Sequence, residues 1–420
     1  MMKHYDRIGE TVHEQRLSNG LLVRVITKPG ATKAHAFLAV DYGSMDIAFS
    51  VGGKYHQTPI GVAHYLEHKM FDMPDMNVMQ LFSKYGGNPN AFTSYDITAY
   101  YVECTDCFED NLKLLLQYVS TPYFTEQSVE KERGIIAQEI RMYEDNPDSR
   151  VFENLFSAMY ATHPIRHSIA GTVESIGHIT AQTLYDCYGA FYTPENMMLC
   201  VVGDMDPETV FRMAEDMMPK GRTEVLQRDH GSKEAMTPQR REVSCQMEVA
   251  MPMFVLGFKT EPAVHGPASM RQEIIGELAA EILVGESSGL YTKLYEKGLI
   301  DSGFSCGYEG LKGASMLTAS GDSEDIAAVH DAILEEALRI GREGFDEALF
   351  TRLKRSSLGR RMRDLDSFDS ICYRMCAYEF EGVDYFSFPA SFNEVSPQHV
   401  LEFLCRTVTE ERCALSVVRP

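Results

Sequence analysis

His64, Glu67 and His68 are the residues of this chain whose types and spacing could do chemistry on their own, in the run His64-Tyr65-Leu66-Glu67-His68. In a helix each residue turns about 100° from the last, so His64 and His68 lie one turn apart on one stripe, with Glu67 beside them. Two imidazoles placed this way reach one metal ion, and a carboxylate next to that ion can take a proton from water. Read as H-x-x-E-H, the run is the inverted form of the zincin signature, whose chemistry is metal-assisted hydrolysis of an amide bond. The competing reading is a pair of histidines on an amphipathic core helix, hydrogen-bonded to backbone. A third ligand decides between them, because catalytic zinc keeps three protein ligands and an open position.

The stretch TEQSVEKERGIIAQEIRMYED, residues 125–145, is the best source of that ligand. It opens on a helix-start signal at Thr125, has no internal proline and carries apolar residues at Ile135, Ile136 and Ile140. Glu132 and Glu139 are seven residues apart, so they share one face about two turns from each other. One of them can bind metal while the other orients a ligand or a substrate group. The alternative is a solvated face with Glu/Arg pairs, for which Glu130, Arg133 and Arg141 are available.

Three blocks in this order resemble the insulinase, pitrilysin and mitochondrial processing peptidase family of zinc peptidases. They are GVAHYLEHKMF (61–71), KYGGNPNAFTSYDITAYYVE (84–103) and VEKERGIIAQEIRMYEDNPD (129–148), the last followed by HPIRHSIAGTVESI (163–176). Among bacterial members the chain most resembles the YmfH type, over nearly its whole length. The resemblance implies one zinc ion per chain held by His64, His68 and Glu139, with Glu67 as general base and Glu132 as a further carboxylate of the site. It also implies that the strand through Asn90, Ala91 and Phe92 pairs with the backbone of a bound peptide, a recognition mode that tolerates varied substrate sequence. One departure stands out. Many members carry SxLFxxLREKxGLAY in the second half, whereas here the matching stretch is SSGLYTKLYEKGLIDSGFS (287–305). Tyr295 stands where the family has arginine, and no tyrosine falls at the family's second position. The expectation is an endopeptidase for peptides or small unfolded proteins, acting in an enclosed chamber with a metal-free paralogous subunit that supplies the missing pair. A homodimer is the other possible assembly, and a non-catalytic scaffold or peptide-binding subunit is the competing function.

The elements that must position these residues follow an α+β pattern. Strands are expected over 21–27 and 34–42, then the HxxEH helix, a short helix near 79–85 and the strand containing Asn90. Helices follow over 108–119 and from 125, then a helix from 180, a strand over 196–205 and a helix opened by Asp206-Pro207-Glu208. Residues 219–242 turn polar and charged and read as a linker. The second half repeats the order, with strands in 244–259, helices over 269–284 and 288–297, a strand from 303, further helices and a closing strand ALSVVRP. The expected plan is therefore two homologous domains, each a mainly antiparallel sheet packed with helices, together half of a clam-shell peptidase. The first, 1–220, holds the zinc site; 221–242 links it to a related domain, 243–420, without one. The second-half helix has Glu273, Glu277 and Glu281 but no histidine, so it cannot copy the metal site.

Composition narrows the partners. A net charge of −22 disfavours nucleic acid and anionic membrane. No apolar run approaches the roughly 18 residues of a membrane span, and the start MMKHYDRIGETVHEQ lacks a secretory pattern. The ten cysteines are scattered, Cys104 and Cys107 form a lone CxxC, and Cys372 and Cys376 read as packing residues on one helix. A cytoplasmic protein with reduced thiols is expected.

Overall fold

The computed structural model describes all residues of the chain except 75, 76, 223 and 263. Its contacts divide it into two compact units, and neither is a continuous stretch. Unit 1 comprises Met1–Ile140, Ser168–His230 and Met362–Phe386; unit 2 comprises Arg141–His167, Gly231–Arg361 and Ser387–Pro420.

Unit 1 holds strands β1 (Met2–Tyr5), β2 (Glu10–Arg16), β3 (Leu22–Thr27), β4 (Ala34–Val40), β5 (Ala48–Val51) and β6 (Lys54–Gln57). Later come β7 (Asn88–Thr93), β8 (Thr98–Cys104), β9 (Met197–Gly203) and β10 (Leu226–Arg228). Its main sheet runs β1-β2-β3-β9-β4-β8-β7, antiparallel except for the parallel pair β3–β9. A smaller sheet runs β10-β5-β6. The helices that matter to the site are α1 (Val62–Met70), α2 (Phe108–Val119) and α3 (Glu126–Glu144), the last running just past the end of the unit's first segment. They bury Tyr65, Leu66, Leu112, Leu116, Val129 and Ile136 in one core with strand residues such as Val25, Leu38 and Tyr100. Strands β1 and β2 are additions to the sequence reading; half-exposed and mostly polar, they lack the apolar alternation that marks a strand.

Unit 2 opens with α4 (Pro147–Met159) and holds β11 (Glu242–Gln246), β12 (Met253–Lys259), β13 (Ser305–Leu311), β14 (Ala314–Asp322) and β15 (Cys413–Arg419). Its sheet runs β11-β15-β12-β14-β13, with β11–β15 parallel and the rest antiparallel. Between β12 and β13 lie α5 (Pro267–Val284) and α6 (Gly289–Glu296). In chain order this sheet repeats the path of β3, β4, β7, β8 and β9, down to the single parallel pair. The fold is α+β with two homologous halves.

Relative to that chain order, the compact units exchange segments. α4 comes from the first half, yet it packs on β12 and β15. Gly257 makes this close approach possible, since a Cβ there would meet Met159 Cε at 2.5 Å and Leu155 Cδ2 at 3.0 Å. In unit 1, α7 (Phe368–Phe380) comes from the second half and covers β4 and β9, with Cys372 and Cys376 fully buried on that sheet. The polar stretch 219–242 is also anchored. In unit 1, β10 pairs with β5, and Arg228 and His230 reach Asp46 at 3.1 and 2.9 Å. In unit 2, Glu234 accepts the backbone N–H groups of Ala161, Thr162 and His163 at 3.1, 2.6 and 2.8 Å. The buried Lys259 ammonium donates to Met159 O at 2.7 Å and Ala235 O at 2.9 Å, satisfying the C-terminal end of α4.

Burial alone would raise the Glu234 carboxyl, but the three backbone donors outweigh it and hold the pKa at about 2. A folded-state pKa below the unfolded value stabilises above the unfolded pKa, and that stability is lost as pH falls through the folded one. Glu234→Gln should therefore cost on the order of 1–3 kcal/mol near neutral pH. In urea titrations its deficit against the parent should shrink as pH falls below about 4.5 and vanish near about 2.

Candidate metal centre

α1 is a nine-residue helix buried on nearly every side, with only His68 partly open. It begins at Gly61, whose φ of 89° and whose approach to Ala170 O, 2.5 Å from where a Cβ would lie, exclude a side chain. Val62, Ala63, Leu66 and Met70 fix the helix in the core, so His64 and Glu67 are carried inside with it, 8% and 7% exposed. α3 starts from a reciprocal cap, in which Thr125 Oγ1 accepts Ser128 N at 3.1 Å and Ser128 Oγ accepts Thr125 N at 3.2 Å. Val129, Ile136 and Ile140 bury one side of it. Glu132 and Glu139 then project towards α1.

The structure brings together every residue that the short motif and the seven-residue spacing single out. Glu139 bridges the two imidazoles, with Oε1 at 3.5 Å from His64 Nε2 and Oε2 at 3.3 Å from His68 Nε2. Glu132 Oε1 lies 3.0 Å from His68 Nδ1, the other ring nitrogen. Glu67 Oε2 accepts the Thr93 hydroxyl at 2.8 Å. Thr93 stands at the end of the NAFT run, and nothing in its type or spacing marks it in the sequence.

Electrostatics follows from three carboxylates around two imidazoles. Burial pushes the Glu67 carboxyl up, against the pull of His64 and Thr93. For His68, burial alone would lower the pKa, but Glu132 and Glu139 raise it to about 10. Burial also works against Glu132, whose bond to His68 nonetheless holds it below the usual carboxylate range. Glu139 is held lower still by His64 and His68. The cluster is one that a cation would complete.

The donor atoms fit a metal. One atom each from His64, His68 and Glu139 lies within 4.8 Å of the others, the one such group among the described residues. The separations of 3.3 and 3.5 Å exceed a charge-assisted hydrogen bond, about 2.7–2.9 Å. Glu139 offers a different oxygen to each imidazole, so the three side chains surround a space that a cation could occupy. Two imidazoles and a carboxylate are also a recurring donor set of catalytic zinc.

Beside the cluster is a cleft of about 930 Å³ whose walls include Glu67, His68, Phe71, Asn90, Glu132 and Ile135. Asn90, Ala91 and Phe92 lie on β7, the outermost strand of the main sheet, paired on one side with Tyr101, Tyr100 and Ala99 of β8. The Phe92 ring packs near Phe37, Tyr101 and Tyr373. In unit 2, Tyr295 on α6 is 52% exposed and stacks on Tyr291 at 6.1 Å.

A duplicated α+β fold with an HxxEH helix facing a glutamate-bearing helix is the architecture of an inverted-zincin peptidase half. The chain belongs to the M16, or insulinase, peptidase family. The family model "Insulinase (Peptidase family M16)" matches residues 23–173, and "Peptidase M16 inactive domain" matches residues 178–357. The "Uncharacterized zinc protease YmfH" of Bacillus subtilis is 36% identical over 99% of this chain and 98% of its own length. The "Uncharacterized zinc protease YmxG" of the same organism is 26% identical over 88% of this chain and 91% of its own length. Among solved structures, an M16-like peptidase from Alicyclobacillus acidocaldarius superposes with a TM-score of 0.94 and 31% identity, covering 98% of both chains. Pitrilysin shares the fold alone, at TM-score 0.78 and 18% identity; all of this chain matches 46% of it.

Zinc titration against a chromophoric chelator checks the donor set. Glu139→Gln should weaken binding by more than about 100-fold as a lost ligand, and Glu132→Gln by about 10–100-fold as a lost partner of a ligand.

Proposed function

We propose that this chain is the metal-bearing subunit of a zinc-dependent endopeptidase that hydrolyses peptides or small unfolded proteins. The observation that carries the reading is the convergence of His64, His68 and Glu139 beside Glu67, within reach of an open strand edge. His64, His68 and Glu139 would hold the ion and Glu132 would orient His68 through Nδ1, leaving Nε2 for the metal. Bound zinc supplies a Lewis acid for the scissile carbonyl and lets water act as a nucleophile near neutral pH. Glu67, held by Thr93 and raised by burial, takes the proton as water adds to the carbonyl carbon. When the C–N bond breaks, the same carboxyl returns the proton to the departing amine. The substrate backbone would lie along β7 through Asn90, Ala91 and Phe92, adding a strand to the sheet. Ten free thiols suit a reducing compartment such as the cytoplasm.

Tyr295 in place of the family's arginine supports a mixed assembly, in which a metal-free paralogous chain donates the arginine and tyrosine; a homodimer with another donor is the simpler variant. The same residue favours the second reading, a non-catalytic scaffold or peptide-binding subunit. Quenched-peptide assays with and without such a paralogue separate them. The enzyme reading expects turnover that rises on mixing and falls about 10²–10⁴-fold in Glu67→Gln with zinc retained. Zinc without turnover in any mixture supports the scaffold. Thr93→Val should lower kcat about tenfold at unchanged zinc content, as expected for a lost hydrogen bond to a charged group.

A further inference from the structure

Tyr65 and Lys69 are also one turn apart on α1, on the stripe next to His64 and His68. Both are 0% exposed. The Tyr65 hydroxyl donates to Val129 O. The Lys69 ammonium donates to the Asp72 carboxylate and, at 3.4 Å, to Ser128 O. Both acceptor carbonyls belong to the first turns of α3. Ser128, Glu132 and Glu139 follow at i, i+4 and i+11, on one stripe of that helix.

A lysine here is not a space filler. Burying an ammonium costs several kcal/mol before its partners offset it, whereas methionine or leucine would fill the volume at no such cost. The start of α3 carries the positive end of a helix dipole, which repels a cation. The ammonium is held there by the Asp72 carboxylate and by a lone pair of a carbonyl that already serves its own helix. What the two donors provide is direction. A slip of α3 by one residue against α1 would shift Glu139 by about 1.5 Å and turn it by about 100°, away from both imidazoles.

We infer that Lys69, with Tyr65, is a positioning residue for the metal centre: the two side chains lock the register of α3 against α1 and so place Glu132 and Glu139 on the imidazoles. The inference rests on the reading of this site as a metal centre, and zinc titration of the parent chain tests that reading separately. The experiment is chelator competition for zinc, with cobalt absorption spectra as a report on ligand geometry, on the full chain and on Lys69→Met and Tyr65→Phe. The expected result is zinc affinity lower by about 10–100-fold in Lys69→Met, the range for a lost supporting contact, and a changed cobalt d–d spectrum. Tyr65→Phe should shift both in the same direction by a smaller factor. Lys69→Met that melts earlier yet binds zinc with parental affinity and an unchanged cobalt spectrum would make the lysine merely structural and overturn the inference. If Lys69→Met does not fold, Tyr65→Phe decides by the same two readouts. A parent chain that binds no zinc would overturn both the inference and the metal reading, whereas parental binding with unaltered variants overturns the inference alone.

Discussion

The register between α1 and α3 is the constraint on which the rest of the site depends. α1 is buried on nearly every side, polar residues included, whereas α3 buries one side and carries charge on the other. Together they put His64, His68, Glu67, Glu132 and Glu139 into one partly buried cluster, with three carboxylates against two imidazoles. Such a concentration of like charge is unfavourable without a cation, and against the effect of burial Glu132 and Glu139 accordingly raise the pKa of the His68 imidazole to about 10. The local core thus tolerates an unfavourable arrangement that a bound cation would compensate.

The main sheet serves this pair of helices. β7 and β8 place the Thr93 hydroxyl on Glu67, and β7 ends the sheet beside the cleft. The second half repeats the strand order and even the single parallel pair, but its helix between β12 and β13 has glutamates and no histidine. The duplicated scaffold therefore carries the histidine pair in one half alone. The exchange of α4 and α7 makes each sheet depend on a helix from the other half of the chain, so the two halves are coupled in folding.

What the sequence revealed follows the range of the interactions involved. His64, Glu67 and His68 are legible because a helical turn brings them together within five residues, and Glu132 and Glu139 because seven residues return a helix to the same face. The alternation of strands and helices likewise gave the duplicated α+β plan. Thr93, Tyr65 and Lys69 were not legible, since their roles depend on which carbonyl or carboxylate another element presents. An amphipathic helix such as α4 announces an apolar face but not the sheet it will cover; the small Gly257 opposite it becomes meaningful only once the pairing is known. The polar run 219–242 reads as a linker because its anchors, Arg228, His230 and Glu234, bind partners far away in sequence.

X-ray absorption at the zinc edge, on the purified full chain, tests the central claim most directly. The account predicts about one zinc per chain in a shell of nitrogen and oxygen at about 2.0–2.1 Å, with the outer scattering of two imidazoles and no sulfur. Sulfur scattering at about 2.3 Å, or a chain that takes up no zinc, would contradict it.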